Sequence, residues 1–359
     1  MKILFDIEHP AHVHVYKHTI RSMQEKGHEV LIIAKNKEIT TNLLDRLGFE
    51  YELVSRWYPG MAQKIYGVLD KDIKLLAIAR RFKPDLMTAL LSPHIAHVGK
   101  ILGTPTVTLT DTEDAKLGNM LTFPFTDAIC TPDCFLKDLG KKHVRFAGYK
   151  ELAYLHPNHF TPDPSVLDPL GLSVDDRFII LRFISWSASH DVGLSGIDMS
   201  SAKEFISRLE KYGRVLITSE KKLSAEIEPY RVALPTEQMH SLMYYSQLYI
   251  GEGGTMAAES AILGTPAVHI ESNSKGVATG TYSGNFLELR DKYGLLYFYP
   301  RQDQALEKAI TILENPRSKA EWKKKKEKLL SEKVDVASWM TDFLVRYPES
   351  FETYKKANI

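Results

Sequence analysis

The chain has 359 residues, 44% of them hydrophobic and 25% charged, with a formal net charge of +1. One hydrophobic core rarely organises more than about 250–300 residues, so two domains are expected, and the balanced charge excludes a basic nucleic-acid-binding surface as the main business of the chain. Two cysteines, Cys130 and Cys134, exclude a disulfide scaffold; lacking a second ligand pair, they read as small core or loop residues.

The opening apolar run is too short for a signal peptide, and no run of about 18 apolar residues occurs anywhere, so a cytoplasmic protein is expected. Lys2–Ile7 reads as a buried strand, and a helix from about His12 to Lys26 ends at Gly27. Glu29–Ala34 is a second strand. Thr40–Leu47 is a helix closed by Gly48, and Lys71–Phe82 is another, stopped before Pro84. Asp85–Leu90, Thr106–Thr110 and Asp127–Cys130 are further strands. From 151 to 176 the character changes: Pro157, Pro162, Pro164 and Pro169 stand among Asn158, Asp163 and Asp168, which reads as a linker. A second series follows, with strands Arg177–Phe183 and Arg214–Thr218 and helices Ser200–Tyr212 and Met239–Ser246. Late helices cover Ala305–Leu313 and the lysine-rich Ser318–Ser331. Strands alternating with helices predict an α/β protein of two doubly wound parallel-sheet domains, residues 1–150 and 177–334.

The most informative stretch is Leu248–Val268: strand, glycine turn, short helix, turn, strand. Gly251, Gly253 and Gly254 let the backbone pass close to a ligand. Thr255 reads as the cap of the helix, Gly264 suits the left-handed position after its last turn, and Pro266 prevents its continuation. The helix N-terminus aims N–H groups at whatever lies above the glycines, which favours an anion, most often a phosphate. Glu259 lies about one turn in and leans back toward that end, where it accepts hydrogen bonds from ligand hydroxyls. The plainer alternative is a tight crossover with a carboxylate favoured by the helix dipole.

Other groups invite chemistry. Four histidines fall between residues 9 and 18. His14 and His18 share a helix face but lie off the buried stripe of Val13, Ile20 and Met23, and read as solvent-side. His9 and His12 stand where strand one meets helix one. A base for an acceptor hydroxyl needs a near-neutral pKa, which makes His12 the first candidate, with His9, Asp6 and Asp111 behind it. A helix-terminus role stays open for His12 and a capping role for Asp111. Arg182, near a strand end, and the hydroxyl-rich loop from Ser185 suit a diphosphate; a structural ion pair is the alternative for Arg182. Ser272–Gly284, with Lys275 and three glycines, reads as a mobile segment able to close over a sugar. Arg56–Tyr66 mixes aromatic and basic residues, as a loop packed on the core or as a peripheral bilayer contact. Neither an Asp-x-Asp pair at a strand end nor a Cys/His set with ligand spacing stands out, Asp111-Thr-Glu-Asp114 being the nearest approach, so no metal and no resident cofactor is expected.

The turn at 251–266 resembles the nucleotide-sugar site of GT-B glycosyltransferases and the related UDP-N-acetylglucosamine 2-epimerases. There a small-residue turn opens a short helix, and a glutamate is followed by glycine and proline, here Glu259, Gly264 and Pro266. Gly27-His28-Glu29-Val30 is similar to the strand entry of the peptidoglycan glucosaminyltransferase type, whose glycine-rich first loop is replaced here by Glu8-His9-Pro10-Ala11-His12. Together with His9–His14, Gly148–Leu155, Leu181–Asp191 and Gly251–Ala261, the chain resembles, over nearly its whole length, a largely archaeal GT-B-like family carried as a domain of unknown function and predicted to include glycosyltransferases. The resemblance implies two domains facing a cleft, with helix 335–359 crossing back onto the first. It implies Glu259 on the ribose, Gly253, Gly254 and Thr255 along the diphosphate, and Leu234–Gln238 near the base. The implied function is metal-independent transfer of a sugar from a UDP-linked donor to a hydroxyl of a glycan or lipid-linked acceptor, in the cytoplasm or at the inner face of the membrane. A non-hydrolysing 2-epimerase is the alternative, although its Gly-Thr-Arg-Pro-Glu-like turn after strand one is missing; a non-catalytic nucleotide-sugar-binding protein is the third reading.

Overall fold

The structure, a computed structural model, describes residues 1–36, 38–55, 61–185, 194–232 and 234–357, without the side chains of 38, 55, 61–66 and 68. It divides into two compact units, Met1–His159 with Val334–Ile359, and Phe160–Lys333.

The first unit runs β1 (Lys2–Ile7), α1 (Pro10–Glu25), β2 (Glu29–Lys35), α2 (Glu38–Arg46), β3 (Glu52–Ser55), α3 (Met61–Phe82), β4 (Leu86–Leu90), α4 (Pro93–Leu102), β5 (Thr106–Leu109), α5 (Lys116–Thr122), β6 (Ala128–Pro132), β7 (His143–Phe146) and α6 (Leu152–Leu155). Its seven strands are all parallel, in the order β3-β2-β1-β4-β5-β6-β7. Ile3, Leu4, Phe5 and Ile7 of β1 are all buried, as a central strand covered on both faces requires. The strand order reverses between β1 and β4, so right-handed crossovers place helices on opposite faces and open a crevice at the carboxyl ends of those two strands.

The second unit runs β8 (Phe178–Phe183), β9 (Leu194–Ser195), α7 (Ala202–Leu209), β10 (Arg214–Ser219), α8 (Met239–Tyr245), β11 (Leu248–Gly251), α9 (Gly254–Leu263), β12 (Ala267–Ile270), β13 (Ser272–Asn273), α10 (Gly284–Asp291), β14 (Leu296–Tyr299), α11 (Gln302–Glu314) and α12 (Ser318–Glu332). Its five-stranded parallel sheet has the order β10-β8-β11-β12-β14, with the reversal between β8 and β11. The chain then returns to the first unit as α13 (Val336–Val345) and α14 (Glu349–Ala357). Asp335 caps α13 by accepting from Ser338 N at 3.1 Å, and Thr19 Oγ1 of α1 donates to Ala337 O at 3.4 Å.

The linker expected at 151–176 contains the boundary between the units, after His159, and on either side of it the chain is packed. Tyr149 and the four residues of α6 are buried in the first unit, and Val166 and Leu167 are buried in the second within a short 3-10 segment, Pro164–Leu170. The prolines there punctuate helices, but the apolar residues between them anchor the backbone. The same packing corrects His14 and His18. His14 is buried, with its ring 5.4 Å from that of Tyr154, and His18 stacks on His159 at 4.6 Å. Residues 149–159 and α13 cover a second face of α1 that the single stripe of Val13, Ile20 and Met23 does not announce. Among the described residues no helix is long and apolar enough to cross a membrane. Of the stretch proposed for bilayer contact, 56–60 and the side chains of 61–66 lie outside the described residues.

Candidate functional site

In the second unit, the carboxyl ends of β8 and β11 meet the start of α9. Gly251 has φ +146°, and a Cβ there would stand 2.3 Å from Arg182 O, so only glycine lets β11 run this close to β8. Glu252 is fully buried; its carboxylate accepts from Ile184 N and Ile197 N, both at 2.7 Å, and from Lys221 Nζ at 3.2 Å. It therefore ties the chain after β8 to the segment before α7. Gly253, at φ +90°, is the N-cap of α9 and offers no side-chain cap. The N–H groups of the first turn have no partner within the helix. Thr255 is not the cap: it is the second helical residue, with an exposed side chain. Glu259 is buried one turn in, and its Oε1 lies 3.0 Å from Nε2 of His240 on α8.

Arg182 stands in an ion pair at the end of β8. Its Nη2 pairs with Glu220 Oε1, and Ser185 donates to Glu220 Oε2 from its N–H at 3.4 Å and its hydroxyl at 3.2 Å. The loop residues Trp186–Asp191 lie outside the described residues. The Ser272–Gly284 segment is tied to its surroundings at two points. Ser272–Asn273 pairs with Leu194–Ser195, and Gly280 packs so tightly on Phe298 that a Cβ would stand 2.6 Å from its ring. Lys275 is exposed in a turn closed by Asn273 Oδ1, which accepts from Lys275 N at 2.9 Å. Among the described residues no hydrogen bond or ion pair joins it to the start of α9.

In the first unit, charged groups gather at the reversal point. Asp6 is buried at the end of β1; Lys71 Nζ donates to its oxygens at 2.9 and 2.8 Å, and Ser92 Oγ donates at 2.6 Å. Lys71 also pairs with Glu8. Asp6 is thus engaged on both oxygens, by Lys71 and Ser92. Burial alone would raise the Glu8 carboxyl, but Lys71 and His94 outweigh it and hold it at about 2. Behind Glu8, His94 Nδ1 lies 2.6 Å from Asp72 Oδ1, and the other Asp72 oxygen meets His97 Nδ1 at 3.2 Å.

His12 lies beside this network, and its ring nitrogens are distinguished by the main chain. Glu8 N–H donates to His12 Nδ1 at 3.4 Å. A main-chain N–H is always a donor, so the neutral ring carries its proton on Nε2. Burial lowers the ring to about 4, against the opposing pull of Glu8. His12 is therefore placed as a neutral ring, with Nδ1 accepting from the main chain and Nε2–H left as its donor. His9 is exposed, with its Nδ1 accepting from Ala11 N at 3.2 Å as the N-cap of α1. Asp111, just beyond β5, pairs with Lys150, which also lies 3.5 Å from Glu151. Glu113 is buried and accepts from Leu136 N at 3.3 Å, which makes it a loop fastener.

Glu8, Lys71 and Lys150 in the first unit, and His240, Glu252 and Glu220 in the second, are partners of these candidate residues or neighbours of them that sequence reasoning misses. Only Glu252 carries a local signal, as the one carboxylate inside the glycine turn.

Acid should weaken the first unit in a defined window. Burial lowers His12 to about 4 and His18 to about 3 from an ordinary 6.5, so below pH 6.5 the unfolded chain binds protons that the folded chain refuses. Stability is expected to fall as pH drops from 6.5 toward 4. Burial would raise the Asp335 carboxyl, but hydrogen bonds from Asn158, Ser338 N–H and His159 hold it at about 2. Like Glu8, it contributes stability that is present above the ordinary carboxylate range and lost as pH falls toward 2. Thermal melts from pH 8 to 4 check this; the double change His12→Gln, His18→Gln should flatten the decline between 6.5 and 4.

Residues 1–279 match the family model described as "Protein of unknown function (DUF354)", and the chain belongs to that family. An uncharacterized protein of Methanocaldococcus jannaschii, MJ0665, is 26% identical over 281 residues, covering 75% of this chain and 81% of its own. Among solved structures, the UDP-GlcNAc 2-epimerase of Neisseria meningitidis bound to UDP-GlcNAc superposes with TM-score 0.66 at 13% identity, over 96% of this chain and 100% of that one. MnaA of S. aureus, solved with UDP, gives 0.67 at 11% identity over 98% and 97%. The spinosyn rhamnosyltransferase SpnG, complexed with spinosyn aglycone, gives 0.61 at 14% identity over 95% and 99%. At these identities the likeness shows the fold: an α/β chain of two parallel-sheet units, of GT-B type.

Proposed function

We propose that this member of the family binds a UDP-linked sugar at the start of α9 and transfers the sugar to a hydroxyl of a glycan or lipid-linked acceptor, without a metal. The observation that carries the reading is the α9 terminus: two glycines leave its first-turn N–H groups uncapped, and one turn in stands a buried carboxylate oriented by His240. Amides and a helix dipole suit a diphosphate; Glu259 suits the vicinal hydroxyls of a ribose. Arg182 and Ser185 add donors for the charge that grows on the departing nucleotide.

For the acceptor we assign Asp111 as the base. Lys150 lies between two carboxylates, Asp111 with 11% of its side chain exposed and Glu151 with 2%. Glu151 continues to compensate the ammonium when Asp111 turns to a hydroxyl. His12, donating from Nε2, orients that hydroxyl or its neighbour on the sugar.

The test is calorimetry with UDP. Glu259→Gln keeps the size and loses the charge; a lost charged hydrogen bond is worth about 1.5–3 kcal/mol, so affinity should fall by about 10–100-fold. Unchanged affinity removes Glu259 from the ribose. Incubation with UDP-sugars then separates the chemistries: UDP released in the presence of an acceptor identifies transfer, whereas an isomerised sugar reassigns the reaction to 2-epimerisation.

A further inference from the structure

Glu220 is placed as an anion among donors that suit a phosphate better. It follows β10, the strand beside β8, and its own N–H donates to Phe183 O at 3.1 Å, extending the strand pairing by one residue. That register carries its side chain over the carboxyl end of β8, where the carboxylate receives a guanidinium N–H from Arg182, a main-chain N–H and a hydroxyl from Ser185. This is the donor set of an oxyanion site, and it adjoins the α9 terminus. A Cβ built on Gly253 would stand 3.9 Å from Arg182 Cγ and 3.2 Å from Ile184 Cγ2.

The fit of the carboxylate is incomplete. Among the described residues Arg182 uses only Nη2, while its Nε is buried and has no hydrogen-bond partner. A guanidinium presents Nε and Nη2 as one edge, matched by two oxygens of one group. A phosphate, with more oxygens, satisfies that edge and Ser185 together. Glu220 is also loosely held. Its side chain is 49% exposed, and among the described residues it is hydrogen-bonded only to Arg182 and Ser185, so its ion pair is of the weak, solvent-screened kind.

We propose that Glu220 is a built-in competitor for the diphosphate site: its carboxylate occupies Arg182 and Ser185, and an entering nucleoside diphosphate displaces it. Glu220 thereby lowers affinity for the bare diphosphate, eases its departure after transfer, and keeps Arg182 compensated between ligands. This inference rests on the nucleotide-sugar reading, so its test uses two probes.

Full-length wild type, Glu220→Gln, Arg182→Gln and the double variant are titrated with UDP and with inorganic pyrophosphate by calorimetry, with melting temperatures as the check of folding. Glu220→Gln should tighten both probes by about 2–10-fold, the size of an exposed ion pair with its hydrogen bonds. Arg182→Gln should weaken both, and in that background Glu220→Gln should bring no gain. If UDP binds and Glu220→Gln leaves its affinity unchanged or weaker, the competitor role is wrong and the nucleotide reading stands. If only pyrophosphate binds, and binds tighter to Glu220→Gln, the competitor role stands and the nucleotide reading falls. If neither probe binds any variant, both fall.

Discussion

Lys71→Met should lower the unfolding temperature of the first unit by about 6–20 °C, the largest stability effect expected of a single change in this chain. Lys71 is 4% exposed and the Asp6 side chain is not exposed at all. Removing the ammonium leaves Asp6, among the described residues, with the Ser92 hydroxyl alone in a site of low dielectric, and removing one partner of a buried pair costs about 3–5 kcal/mol. A unit of this size moves by about 2–4 °C per kcal/mol. Removing the stranded charge as well should recover part of the loss, so Asp6→Asn with Lys71→Met should melt above Lys71→Met alone. A double variant that melts lower than the single one would show that Lys71 acts chiefly through Glu8. The cost explains where the network sits. A buried ammonium between two carboxylates is poor economy for stability, yet it stands at the strand-order reversal, where sheets of this kind receive their ligands.

Asp111→Asn should lower the rate of sugar transfer by about 10²–10⁴-fold while leaving UDP affinity unchanged, because a general base acts on the chemical step and not on donor binding. Asparagine keeps the shape and accepts hydrogen bonds but takes no proton at working pH. His12 supplies the contrast. If its Nε2 is a donor, His12→Gln, whose amide reaches nearly the same point, should retain far more activity than His12→Ala. If His12 were the base, the two substitutions should be equally damaging and Asp111→Asn nearly silent. Single-turnover rates with saturating donor distinguish the cases, and the order among three variants is harder to imitate by partial misfolding than one loss.

The alternation of strands and helices, the boundaries at Gly27, Gly48 and Gly264, and the glycine-opened start of α9 are legible in the amino-acid sequence because each is decided within a few residues. Gly264 at φ +84° ends α9, and Gly253 at φ +90° opens it; these are properties of a residue and its neighbours. The helix Pro93–Leu102 escapes the reading although proline starts it, Gly103 ends it and Ile95, Val98 and Gly99 stand at helical spacing on its buried face. What the tertiary structure alone decides is which charges meet. His240 and Glu259 are 19 residues apart, Arg182 and Glu220 38, Asp111 and Lys150 39, Asp6 and Lys71 65, Asp6 and Ser92 86. No spacing rule spans those distances; strand order and register set them. The same holds for roles. Sequence marks His12, Arg182 and Asp111 as groups able to do chemistry, but the partners they meet, a main-chain N–H on one ring nitrogen, a carboxylate on a guanidinium and an ammonium shared by two acids, are set by the fold.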